Sequence, residues 1–202
     1  MWIRGAAIRP VPPHAVVEAR LLADVEAEIG EGPSHESLTR WQARYEAEQP
    51  IMAHRLSLLL DSDRDETAIA VGFFLEIVIY AAFVRAFAAR LKPVTASLLR
   101  GTEESVVVEE ELRADNPEEP LEVEDVLRAE QPAIGVFMDE HVEAVLAADY
   151  KEALTSDVAG VSVNVDDLQL VYRHLLLTVL TLSQAVMPPA SYNPGNSSEV
   201  LA

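Results

Sequence analysis

The chain has 202 residues, half of them hydrophobic, and a formal charge of −19 from 15 Lys plus Arg against 34 Asp plus Glu. That is ample apolar material to offset the entropy of folding, so wholesale disorder is excluded. The negative balance excludes nucleic acid and anionic membranes as direct partners, because such affinity comes largely from basic residues that displace counterions.

Cysteine is absent, which removes disulfides, thiolate nucleophiles and cysteine-ligated zinc or iron–sulfur clusters. The first ten residues break their apolar run with Arg4 and Arg9 and meet Pro10, Pro12 and Pro13. No secretory h-region forms there, and cytoplasmic residence is expected.

After this irregular arm, taken as 1–13, Val17, Leu21, Val25 and Ile29 recur every four residues and predict an amphipathic helix from His14 to Ile29. Gly30 to Pro33 end it. Ser34 is placed to cap a second helix, whose stripe of Trp41, Tyr45, Met52, Leu56 and Leu59 runs towards Asp61. Pro50 lies inside that stripe. A proline removes an amide donor and clashes with the preceding turn, so the helix either kinks near Gln49 or restarts with Pro50 in its first turn.

Ser62 to Glu66 supply caps and carboxylates for a third helix, from about Arg64 to Leu91, which Lys92-Pro93 stops. Val94 to Arg100 are expected to add a short helical turn. Thr102 to Glu130 hold twelve acidic residues and two basic ones, Arg113 and Arg128. The segment reads as a solvated linker with a β-prone piece at Val106 to Val108, or as a docking surface for a basic partner.

Helical periodicity returns from Leu121 to Leu154. Val161, Val163 and Val165 then alternate with polar residues, which predicts a brief strand able to pair with Val106 to Val108. Leu168 to Met187 form a second nearly all-apolar helix, ended by Pro188-Pro189. Residues 190–202 are expected to be a mobile tail.

Ala47-Glu48-Gln49-Pro50 recurs as Ala129-Glu130-Gln131-Pro132. A four-residue match is within reach of chance. Both copies, however, sit in an amphipathic helix that is followed by an acid-capped apolar helix, and this shared order argues for an internal duplication. The expected fold is therefore mainly α: a single helical domain over 14–189, with about five helices and at most a short two-stranded β element. Within it, repeats at 34–100 and 119–189 would be joined by an acidic linker at 101–118.

The apolar run from Thr67 to Phe83 approaches the length that crosses a bilayer, but Glu76 stands at its middle, so a buried core helix is expected instead. An ionised carboxylate cannot be buried without partners. Glu76 either reaches a helix edge or pairs with an arginine such as Arg173, or it forms a ligand-binding trio with Tyr80 one turn later and His174 across the bundle. No Glu-x-x-His metal motif, nucleophile elbow, phosphate loop or dinucleotide fingerprint occurs, so no catalytic residue, metal ligand or cofactor is assigned.

By elimination the expected function is that of a non-catalytic acidic helical interaction or adaptor protein. Its partner would be another protein, basic in character, or a second copy in a homodimer. The alternatives are a small-molecule or metal-binding bundle or enzyme with a pocket near Glu76, and an acidic decoy for a nucleic-acid-binding protein.

Overall fold

The computed structural model describes residues 7–30, 36–114, 123–155 and 163–191. They form eight α-helices: α1 (Ala19–Gly30), α2 (Glu36–Glu48), α3 (Pro50–Leu60), α4 (Glu66–Phe87), α5 (Ala96–Ala114), α6 (Val123–Glu130), α7 (Pro132–Thr155) and α8 (Val165–Ala185). The mainly α architecture holds. The helices outnumber the expected five because each Gln-Pro step ends one helix and starts another, and because the acidic segment is itself helical.

At both steps the backbone does the same thing. Gln49 donates its N–H to Tyr45 O at 2.8 Å and accepts from Ala53 N at 2.9 Å. Gln131 donates to Leu127 O at 2.7 Å and accepts from Gly135 N at 2.9 Å. Each glutamine thus closes the earlier helix with its amide and opens the next with its carbonyl, and the proline takes the first helical position, where its missing N–H has no intrahelical partner to lose.

α4 and α8 are the core. Both are apolar around most of their circumference, and the other helices cover them. Asp65 caps α4 by accepting from Ala68 N at 2.9 Å, and Asn164 caps α8 by accepting from Asp166 N and Asp167 N at 2.9 and 3.3 Å. Their close approach depends on Gly72: a Cβ there would stand 2.6 Å from Val171 Cγ1. α4 is long and apolar enough to span a bilayer by composition alone, but in this fold it lies mostly buried beneath the other helices.

Three expectations are corrected. Residues 101–114 are not linker but the body of α5, because Thr102, Val106 and Glu109 share a helical face that is buried while Glu104 and Glu111 face outward. Val106 to Val108 are therefore helical and cannot form a strand, and Val165 opens α8. Among the described residues the only β feature is the isolated bridge of Leu91 to Val186, where Lys92 N donates to Ala185 O at 3.1 Å and Met187 N to Arg90 O at 2.8 Å. His14 and Ala15 belong to a 3-10 turn, Pro13–Ala15, and α1 begins only at Ala19. The expected Ser34 cap, the strand residues Val161 and Ser162, and most of the tail lie outside the described residues.

Candidate functional site: a buried carboxylate and two glutamine clamps

Glu76 sits near the middle of α4 with no exposed surface. Each of its oxygens is engaged. Tyr45 on α2 donates its phenol to Oε1 at 2.5 Å, and the hydroxyl of Thr178 on α8 lies 3.4 Å from the same atom. His174, one turn before Thr178, places Nε2 at 2.5 Å from Oε2. Spacing by four residues puts His174 and Thr178 on one face of α8, which is how a single helix serves both oxygens.

Arg55 on α3 seals the edge of this cluster. Its Nη1 donates to the carbonyl of His174 at 3.1 Å, and its Nε lies 3.5 Å from Glu103 on α5. Burial pulls the Arg55 guanidinium below its usual range, against the pull of the Glu76 and Glu103 charges. The Tyr45 phenol is pushed well above its ordinary value, first by burial and then by the Glu76 carboxylate beside it.

Of the three residues expected to converge, the fold brings together Glu76 and His174. Tyr80 packs its ring on Tyr45, with centroids 4.6 Å apart, but sends its hydroxyl away to Glu48 at 2.7 Å. A residue four positions along α4 shares the face of Glu76, yet its longer side chain reaches past the carboxylate to α2. Burial, and then the bond to Glu48, raise the Tyr80 phenol as well. Arg173, the candidate structural partner, instead forms a two-point ion pair with Glu110 at 2.7 and 2.9 Å.

Tyr45 and Thr178 escaped the sequence reading because both sit in apolar stripes. The available signal was chemical: a fully buried phenol or hydroxyl needs a hydrogen-bond partner. Two clefts of about 450 Å³ lie elsewhere, one beside the arm and lined by Ile8, Arg9, Leu98, Ser105, Leu180 and Gln184, the other beside Arg64 and Phe73. Among the described residues no three histidine or carboxylate side chains converge as a metal site.

The second arrangement was visible in the sequence only as a repeated tetrapeptide. The side chain of Gln49 accepts from Val94 N at 2.8 Å and donates to Lys92 O at 3.1 Å. That of Gln131 accepts from Val17 N at 3.0 Å and donates to Ala15 O at 2.7 Å, with Ser183 Oγ a further 3.0 Å contact. Each buried amide therefore reads a carbonyl and the N–H two residues later, as a neighbouring β-strand would. The segment held by Gln49 leads into α5, and the segment held by Gln131 leads into α1.

Gln131 is one of four side chains that grip the backbone of the arm. Glu109 accepts from Ala7 N at 3.1 Å and Glu130 from Val11 N at 2.9 Å, while Gln184 donates to Pro10 O at 2.8 Å and reaches Arg9 O at 3.5 Å. Ile8, Val11, Ala15 and Val17 are buried beneath it. Comparison of the chain with protein families, with curated proteins and with solved structures finds no match, so its function is read from this geometry.

Proposed function

We propose that this chain is a non-catalytic helical interaction protein that engages another, basic protein from an acidic surface. The observation that supports this most is the state of Glu76: a carboxylate whose oxygens already accept from Tyr45 and His174 and face Thr178 has no exposed surface to offer a substrate. Reaching it would require opening the contact between α4 and α8. The cluster fits a structural role, satisfying one buried charge and tying α2, α4 and α8 together.

The surface suited to a partner is the outer face of α5. Val107 and Val108 are 41% and 45% exposed there, with Glu104 and Glu111 around them. An apolar centre rimmed by carboxylates matches the anatomy of a protein interface whose partner is basic. The cytoplasm is the compartment that fits a cysteine-free chain of this charge.

The same reading extends the expected repeats at 34–100 and 119–189 to a duplicated unit of α1–α4 and α5–α8, related by an approximate twofold axis through the contact of α4 with α8. The reciprocal glutamines support it, since each half clamps the segment that leads into the other. So does Gly72 against Val171: each lies seven residues beyond its helix cap, 65 to 72 and 164 to 171. Matching positions touch one another where a twofold axis passes.

The test is Glu76→Gln, which keeps shape and removes charge. Capture of partner proteins by the full chain is expected to survive, with a modest fall in Tm. Binding of a metabolite or metal by the wild type, lost in a Glu76→Gln chain of unchanged Tm, would overturn the non-catalytic reading.

A further inference from the structure

The arm from Ala7 to Val17 is held largely through its main chain. Six of its hydrogen bonds go to Glu109, Glu130, Gln131 and Gln184, and in these the arm contributes only backbone atoms, while its His14 side chain donates from Nε2 to Val186 O at 3.1 Å. The receiving side chains all belong to the second half of the chain. What they recognise is main chain without a regular helix, bent by the 3-10 turn at Pro13–Ala15, that offers N–H groups at positions 7, 11 and 17 and carbonyls at 9, 10 and 15. The prolines at 10, 12 and 13 fall where no N–H is used, so the groove accepts a proline-rich segment at no loss of hydrogen bonding.

Side-chain selection in the groove is simple. It buries apolar residues at 8, 11, 15 and 17 and leaves Arg9 exposed beside a cleft of about 450 Å³ that runs along the arm. The cleft is walled by Leu98 and Leu180 and edged by Ser97, Ser105 and Gln184, so the groove is wider than the arm that occupies it. The arm from 7 to 17 carries Arg9 and no acidic residue, whereas the whole chain is at −19. Its charge complements the body that holds it.

We infer that this groove is a peptide-binding site occupied by the chain's own arm, and that its partner is a basic, proline-rich segment of another protein, without regular helix, which displaces the arm. Recognition through backbone atoms is the mode by which extended peptides are bound generally, with a few apolar pockets setting preference. The segment gripped by Gln49 cannot leave in this way, because helices bound it on both sides, α4 and α5. The inference rests on the interaction-protein reading and names the class of partner.

The probe is a labelled synthetic peptide with the sequence of residues 7–18, titrated into the full chain and followed by fluorescence polarisation. In the wild type the tethered arm competes at an effective concentration on the order of millimolar, so weak binding is expected. Ile8→Ala combined with Val11→Ala loosens the arm and leaves the groove side chains intact. That chain is expected to bind the peptide at least about tenfold more tightly, through relief of the tethered competition, and adding Gln131→Ala is expected to abolish the gain.

A folded double variant that binds the peptide no better than the wild type overturns the inference. Should the double variant lose its helical circular dichroism, Val11→Ala alone, which keeps every hydrogen bond, gives the same comparison with the same two outcomes. Saturating peptide added to a partner-capture experiment separates the two levels. Capture that persists removes the groove and leaves the interaction protein standing on its α5 face, whereas the absence of any captured partner removes the interaction reading itself.

Discussion

Tyr45 and Glu76 show how one buried charge organises its surroundings. Removing the Tyr45 hydroxyl leaves an acceptor on a carboxylate with no route to water, and an unsatisfied buried group of this kind costs about 1–3 kcal/mol. Tyr45→Phe is therefore expected to lower stability by that amount, read as a shift in the midpoint of urea unfolding with little change in slope. The same residue sets an alkaline limit. Its phenol is raised in the fold, by burial first and by Glu76 second, so the folded state holds a proton that the unfolded chain releases near pH 10. Stability present below that pH falls as the pH rises above it, and Tyr45→Phe is expected to flatten the part of the decline that comes from this residue. An alkaline profile identical in the two proteins would show that Tyr45 does not carry it.

Among the elements, the two Gln-Pro junctions offer a direct comparison. Gln49 and Gln131 are both nearly or wholly buried, and each satisfies one carbonyl and one N–H of an extended segment. Truncation to alanine leaves both backbone groups unpaired. A loss of about 2–6 kcal/mol is expected for each variant, since each of the two unpaired groups costs about 1–3 kcal/mol, and thermal unfolding of the two variants side by side measures it. Similar losses are expected because the two amides do the same work. A loss confined to Gln49→Ala would mean that the arm contributes little to stability. The tetrapeptide and the helix break at proline were legible in the sequence, because φ restriction and a missing donor act locally. The partners of the glutamines were not, since they lie 45 and 43 residues away for Gln49 and 114 and 116 for Gln131.

For the molecule as a whole, the N-termini of α4 and α8 are locked by Asp167. It accepts from Asp65 N at 3.0 Å and pairs with Arg64 Nη1 at 2.8 Å. Those contacts, the backbone bond first, hold its carboxyl below the usual range. A depressed carboxyl contributes stability at neutral pH that is lost as the pH falls below about 4, through its folded value. Asp167→Asn is expected to lower Tm at pH 7 and to show a shallower acid decline than the wild type. An equal Tm gap at pH 7 and at pH 3 would show that the charge on Asp167 is not what links the two helices.

Composition and periodicity alone determined the helical class, the two apolar helices and their polar caps, and the break at each proline, because these follow from interactions within a few residues of one another. They also marked Glu76 as a residue that must find partners and included His174 among the candidates. Tertiary structure decided the rest. It turned an acidic stretch into α5, because three residues on one face, Thr102, Val106 and Glu109, found a surface to cover while the remaining carboxylates stayed outside. It diverted Tyr80 to Glu48 and brought Tyr45 to Glu76 in its place. It also laid a proline-rich arm, without regular periodicity, into a groove built by side chains a hundred residues away. A burial pattern in sequence states which faces must be covered, and only the packing of distant elements states what covers them.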